Sequence, residues 1–276
     1  MTRSLALLLL AVLWIGGPSL RGQEPEPAAF DHDHGPWTRV LAAVVRDGRV
    51  DYETLARDRS DLDLYVTRLS TQSALDFARW TKPQQCAFWL NAYNAFTLQA
   101  VLANYPLLDM DSLRDVGGKE SGKVWKQRRL PLGRLFGTGM EVELSLDDIV
   151  ERILRPQFRD ARVHAALCNS CLGSPALAPR AFTATGLDRE LDGAAHAWLA
   201  DPRRTIFSRE HRRVEASIAF DTYRQDFARD QGSVEGWIAR FAPRDQRTWL
   251  AEPAGFERRT LAFDWKLNDI ELNGGK

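Results

Sequence analysis

The sequence predicts an α+β fold, a single helix-rich domain with a small sheet around a buried central helix. Three observations lead there. The segment Gln84–Tyr105, QQCAFWLNAYNAFTLQAVLANY, is apolar on nearly every side, as a helix enclosed by its own domain must be. Flanking segments such as Leu62–Leu69 and Leu187–Ala200 repeat apolar residues at helical spacing. Strand-like stretches are few and short.

In chain order, Arg3, the apolar run Leu5–Ile15 and the breakers Gly16, Gly17 and Pro18 form the pattern of a secretory signal peptide, with cleavage expected between Gly22 and Gln23. The run falls short of the roughly 20 residues that span a bilayer, and an uncleaved membrane anchor is the competing reading. Residues 1–22 are therefore read as signal and 23–29 as a short stalk, the latter from its biased composition QEPEPAA. Residues 30–276 are read as one domain. Export to a periplasm or the extracellular space follows from the signal.

Trp37–Arg46 reads as a helix ended by Asp47-Gly48, with strand-like Val50–Tyr52 after it. Leu62–Leu69 and Ser73–Trp80 read as helices, and the core helix stops at Pro106. Asp115–Arg134, rich in Gly, Lys and Arg, reads as an exposed loop or hairpin. Ser145, with Asp148 three residues on, is a credible N-cap for the helix in SLDDIVERILRPQF. Arg162–Leu167 reads as a buried strand and Leu187–Ala200 as an amphipathic helix. Phe227 to Phe241 reads as a last helical region, and Arg258–Leu267 as a closing extended segment.

Composition excludes some functions. The 37 basic and 37 acidic residues cancel, so no general field draws the chain to nucleic acid or anionic lipid. Membrane contact is expected only through the N-terminal signal, if uncleaved. The sequence leaves the oligomeric state open.

Inside the core helix, Asn91 and Asn94 are three apart and share one face. Buried amides without partners cost about 1–3 kcal/mol each, so a polar network, structural or catalytic, is expected around them. The densest set of reactive groups is His164–Pro175, HAALCNSCLGSP. Three readings of it stay open. Cys168 and Cys171 form a CxxC pair able to oxidise in an exported protein. One thiol is a nucleophile activated by a histidine brought close in space. The thiols and His164 ligate a metal, although no partner CxxC or HxxxH supplies the three or four ligands zinc requires. No metal and no cofactor is expected on that count. Cys86 reads as a small buried hydrophobe. His32 and His34 adjoin the stalk and read as part of a solvated segment, His196 as a surface or half-buried residue, and His211 as part of a charged loop. Asp226 and Asp264 read as partners for arginines or backbone donors.

Several motifs occur in one order along the chain: FDHDHGPW (30–37), GRVDYETL (48–55), AFWLNAYNA (87–95), SLDDI (145–149), ILRPQF (153–158), RVHAAL (162–167), YRQDF (223–227) and FDWKLN (263–268). With them the chain resembles the domain-of-unknown-function family numbered 547, found in bacteria and, fused to other segments, in plants. The resemblance covers residues 30 to 268, with His34 placed on the family's opening His. It also has departures. Positions where the family typically carries Cys hold Asn169 and Ser174 here, with Cys168 and Cys171 beside them. The Glu usual after SLDDI is replaced by Val150, with Glu151 displaced by one.

What the resemblance implies is a non-catalytic or degenerate member acting as a binding or structural module, toward an unknown small molecule or an envelope peptide. The alternative is a thiol-type hydrolase or acyltransferase acting on a cell-envelope amide or ester. There, Cys168 or Cys171 would attack a carbonyl, His164 or His34 would act as base, and Asn91 or Asn94 would orient the His or hold the oxyanion.

Overall fold

The structure, a computed structural model, describes residues 29–107, 112–136 and 143–271. The expected signal peptide and all of the stalk except Ala29 lie outside the described residues.

The chain opens with α1 (Gly35–Val44), whose buried residues Trp37, Val40, Leu41 and Val44 repeat at helical spacing. The hairpin β1 (Val45–Arg46) and β2 (Arg49–Val50) turns through Asp47-Gly48, both at positive φ. There a Cβ on Gly48 would lie 2.5 Å from the Ala176 Cβ. Helices α2 (Tyr52–Arg57), α3 (Ser60–Ser70) and α4 (Ala74–Arg79) follow. They pack around the 21-residue α5 (Lys82–Leu102). Thr81 and Gln84 cap α5 reciprocally, and Pro83 sits in its first turn, where a missing N–H costs nothing. Fifteen of its residues are buried, Cys86 among them.

The stretch read as an exposed loop carries short α6 (Lys123–Lys126), with Val124 and Leu130 buried in the core. Ser145 caps α7 (Leu146–Asp148) in a capping box with Asp148. The helix then widens into π-type turns over Ile149–Leu154 and narrows again as α8 (Arg155–Phe158).

Residues 162–167, read from sequence as a strand, instead contain one helical turn, α9 (Val163–Ala166). A six-residue apolar run does not distinguish the two by periodicity. Asp160 decides it: its carboxylate accepts from the Arg162 N–H at 2.9 Å and its carbonyl from the Val163 N–H at 3.2 Å, which starts a turn.

The amphipathic α10 (Leu187–Ala200) stands where the sequence places it. The small sheet the sequence predicts follows, its first two strands at positions the sequence did not mark. Strand β3 (Thr205–Ser208) pairs antiparallel with β4 (Arg213–Ala216), and β4 pairs parallel with β5 (Glu257–Thr260). Between β4 and β5 run α11 (Ala219–Thr222), α12 (Arg224–Gln231), α13 (Val234–Phe241) and α14 (Arg244–Leu250). The core around α5 gathers residues from α1 through α10, and a second core joins α10, β4 and α11–α14 around Trp198, Phe220, Phe227 and Trp237.

The segment after β5 laces these parts together. Gly173 donates to the Asp264 carbonyl (2.8 Å), Leu172 to that of Lys266 (2.9 Å), and Val50 to that of Asn268 (2.9 Å). Gly173 is small because a Cβ there would lie 2.8 Å from the Asp264 nitrogen. Among the described residues, no helix is long and apolar enough to cross a membrane.

Candidate functional site

The two asparagines of α5 bind backbone. Asn91 Nδ2 donates to the Phe182 carbonyl (2.8 Å) and its Oδ1 accepts from the Phe182 N–H (3.0 Å). One turn on, Asn94 Nδ2 donates to the Ala166 carbonyl (2.9 Å) and its Oδ1 accepts from the Cys168 N–H (3.0 Å). Each amide acts as a strand partner for an irregular segment that has no ladder of its own. Together they fix residues 166–168 and 182 against the central helix.

Residues 164–168 thus reach their positions from two sides, α9 holding His164 and Asn94 holding the start of the cysteine loop. His164, 5 % exposed, stacks on the Tyr223 ring with centroids 4.1 Å apart. Its Nε2 lies 2.9 Å from Asp226 Oδ2. That same oxygen accepts from Arg155 Nε at 2.6 Å, and Oδ1 accepts from Arg229 at 3.0 Å. Arg155 in turn lies over the Tyr223 ring, 4.8 Å from its centroid, and pairs with Glu151.

The electrostatics follow from this crowd. Burial pushes Asp226 up, but hydrogen bonds from His164 and Arg155 outweigh it and hold the carboxyl well below the usual carboxylate range. Burial lowers the His164 pKa, against the pull of Asp226. With Arg155 and Arg229 supplying the positive charge, the imidazole is neutral. A neutral ring facing a carboxylate through Nε2 carries its proton there, which leaves the lone pair on Nδ1.

His164 lines a cleft of about 210 Å³ together with Tyr93, Asn169, Tyr223, Phe263 and Trp265. Val150 and Ser174 line it too. Val150, Asn169 and Ser174 therefore face one cavity with His164.

The two thiols are not part of that wall. Cys168 is 2 % and Cys171 1 % exposed, and all three cysteines are free. Cys168 Sγ is 3.5 Å from Ser174 Oγ and receives the Asn268 amide at 3.5 Å. Asn268 also accepts from the Tyr52 hydroxyl at 2.8 Å, so the closing FDWKLN motif meets the cysteine loop in the core. Cys171 Sγ lies 3.7 Å from the Asn169 carbonyl. Burial raises both thiol pKa values. Among the described residues neither sulfur has a histidine as hydrogen-bond partner, and no cluster of three or more His, Cys, Asp or Glu could hold a metal ion.

His34 sits elsewhere. It was read as solvated because it adjoins the stalk, but it is 1 % exposed. The chain turns at His34 in a left-handed conformation (φ 51°) into α1, and aromatic neighbours cover the ring. Phe30 packs edge-on at 5.3 Å, and Nδ1 lies 2.7 Å from the Tyr65 hydroxyl. Burial lowers its pKa to about 4. The structure thus gathers Asn94 and Cys168 in one place, His164 in another, and His34 in a third. Half-buried His196 lies 2.7 Å through Nδ1 from the Phe241 carbonyl. Asp264 accepts from the Lys266 N–H at 3.0 Å.

The sequence reading does not single out Arg155, Tyr223 and Arg229 as site residues, and it gives Asp226 as a partner for arginines or backbone donors. A signal existed: YRQDF spaces Tyr223 and Asp226 three apart on a helix, so both meet one neighbour.

Fold and site define a helix-rich α+β protein with a His–Asp pair beside a small aromatic cleft. Residues 77–199 match the model of a family described as a protein of unknown function, DUF547. That match supports the family assignment suggested by the motifs. No curated protein and no solved structure matches the chain.

Proposed function

We propose that this is an exported, non-catalytic member of the family that holds a small ligand, or the end of an envelope peptide, in the His164 cleft. The observation that carries this reading is the convergence of Val150, Asn169 and Ser174 on the cavity lined by His164. Substitutions scattered by drift would have no reason to meet around one imidazole. The cleft offers aromatic walls from Phe263 and Trp265, side-chain amide and hydroxyl groups, and a neutral His164 whose Nδ1 accepts a hydrogen bond. Such a cavity orients a small neutral or donor-bearing group. The thiols of Cys168 and Cys171, whose pKa values burial raises, lie outside its wall.

The test is a thermal-shift and tryptophan-fluorescence screen of envelope-derived small molecules and short peptides, reading Trp265 at the cleft. A ligand whose stabilisation disappears in Asn169→Leu supports the reading. Turnover of an amide or ester that survives in wild type and is lost in Cys168→Ser or Cys171→Ser overturns it.

A further inference from the structure

A second concavity lies between the β1–β2 hairpin, the segment 176–182 and the outer face of α10. Its volume is about 690 Å³, within the range of small-molecule sites, and Val45, Ala165, Leu177, Phe182, Gly193 and Ala197 form its apolar lining. The hairpin closes one end, where Gly48 meets Ala176. On α10, a Cβ at Gly193 would meet nothing within 4 Å. Glycine inside a helix costs about 1 kcal/mol relative to alanine, and no neighbour demands it here. Its effect is to keep the groove wide at mid-length.

Four charged side chains also line the groove: Asp47, Arg180, Arg189 and Glu190. Of the two acids, Glu190 is already engaged. Glu190 accepts from the Thr183 N–H (2.8 Å) and hydroxyl (3.0 Å), which fixes it to the wall. Asp47 lies at the hairpin turn that closes one end of the groove. Arg180 and Arg189 make no ion pair among the described residues. An apolar trough with two unmatched guanidiniums is complementary to an amphipathic anion, since a guanidinium fork matches a carboxylate.

We propose that this groove is a binding site for an acyl carboxylate, its chain along the Gly193 face of α10 and its head group on Arg180 and Arg189. The site is separate from the His164 cleft and does not depend on the reading given to it.

The test is calorimetric titration of the whole protein with decanoate below its micelle concentration, with decanol as the uncharged comparison. Expected are saturable binding of decanoate, about tenfold weaker binding (about 1.4 kcal/mol) in the Arg180→Gln/Arg189→Gln double variant, and loss of binding in Gly193→Leu. Gly193→Leu projects into open space, and its unfolding midpoint is measured alongside to show that it folds. Three results overturn the proposal: no saturable decanoate binding to the wild type, decanoate affinity unchanged in both folded variants, or decanol bound as tightly as decanoate.

Discussion

Replacing Asn91 with leucine tests the central structural claim, that α5 holds the irregular segments through amides acting as backbone partners. Leucine nearly conserves volume, so cavity terms are small. The change removes two hydrogen bonds at once, to the Phe182 carbonyl and from the Phe182 N–H. Both backbone groups then stay buried without a partner, at about 1–3 kcal/mol each. Burying the extra apolar surface of leucine returns about 1 kcal/mol. The net loss expected is about 1–5 kcal/mol, which for a chain of this size lowers the melting temperature by roughly 2–20 °C. Urea unfolding followed by far-UV circular dichroism gives the free energy, and an unchanged slope confirms that the same surface unfolds. Asn94→Leu should cost a similar amount, because it releases Ala166 and Cys168 in the same way. An Asn91→Leu protein within about 0.5 kcal/mol of wild type, the spread of ordinary surface changes, would refute the clamp.

His34 is neutral in the fold, with its pKa lowered to about 4 from 6.5. The unfolded chain therefore takes up the proton first. Stability should be full above pH 6.5 and fall by about 3 kcal/mol on titration to pH 4, in addition to a loss from His164, whose pKa is also lowered. Urea midpoints across that range check it, and a His34→Gln protein that declines as steeply as wild type would sink it. Asp226→Asn should cost about 3 kcal/mol, since Arg155 and Arg229 lose the carboxylate that neutralises them. It should also flatten the loss of stability below pH 4, because the depressed Asp226 pKa makes its contribution present above the unfolded value and lost as pH falls. Iodoacetamide should label Cys168 and Cys171 slowly at pH 8 in the native protein, as burial raises both. Fast labelling of either by mass mapping would reopen the nucleophile reading. Gly48→Ala should lower the unfolding midpoint measurably, since φ is 74° and the added Cβ would lie 2.5 Å from the Ala176 Cβ.

Much of the fold was legible because local physics sufficed. The apolar surround of α5 made it a core helix, the Ser145–Asp148 spacing announced a capping box, and the spacing of Leu191, Ala195, Trp198 and Leu199 marked α10. Where local cues tied, the reading failed. Residues 162–167 fit a strand as well as a helical turn, and only Asp160 and Asn94 selected the turn. Strands β3 and β4 carry four residues each among arginines and glutamates, and β5 joins them in parallel from some forty residues away. Four residues hold too few alternations for the period of two to be read.

The candidate site divides along the same line. The sequence by itself named His164, the cysteine loop and the two asparagines, because identity and spacing are one-dimensional facts. It also required that Asn91 and Asn94 find partners, since a buried amide without one is costly. Tertiary structure alone decided who those partners are. It placed Asp226 on His164 across 62 residues, drew Arg155 and Arg229 to the same carboxylate, and buried His34 beside Tyr65. It also gathered Val150, Asn169 and Ser174 around one cleft and turned both thiols away from it. Which charges and hydrogen bonds meet depends on contacts between distant parts of the chain, and these form only when the apolar faces of α5 and α10 close over their cores.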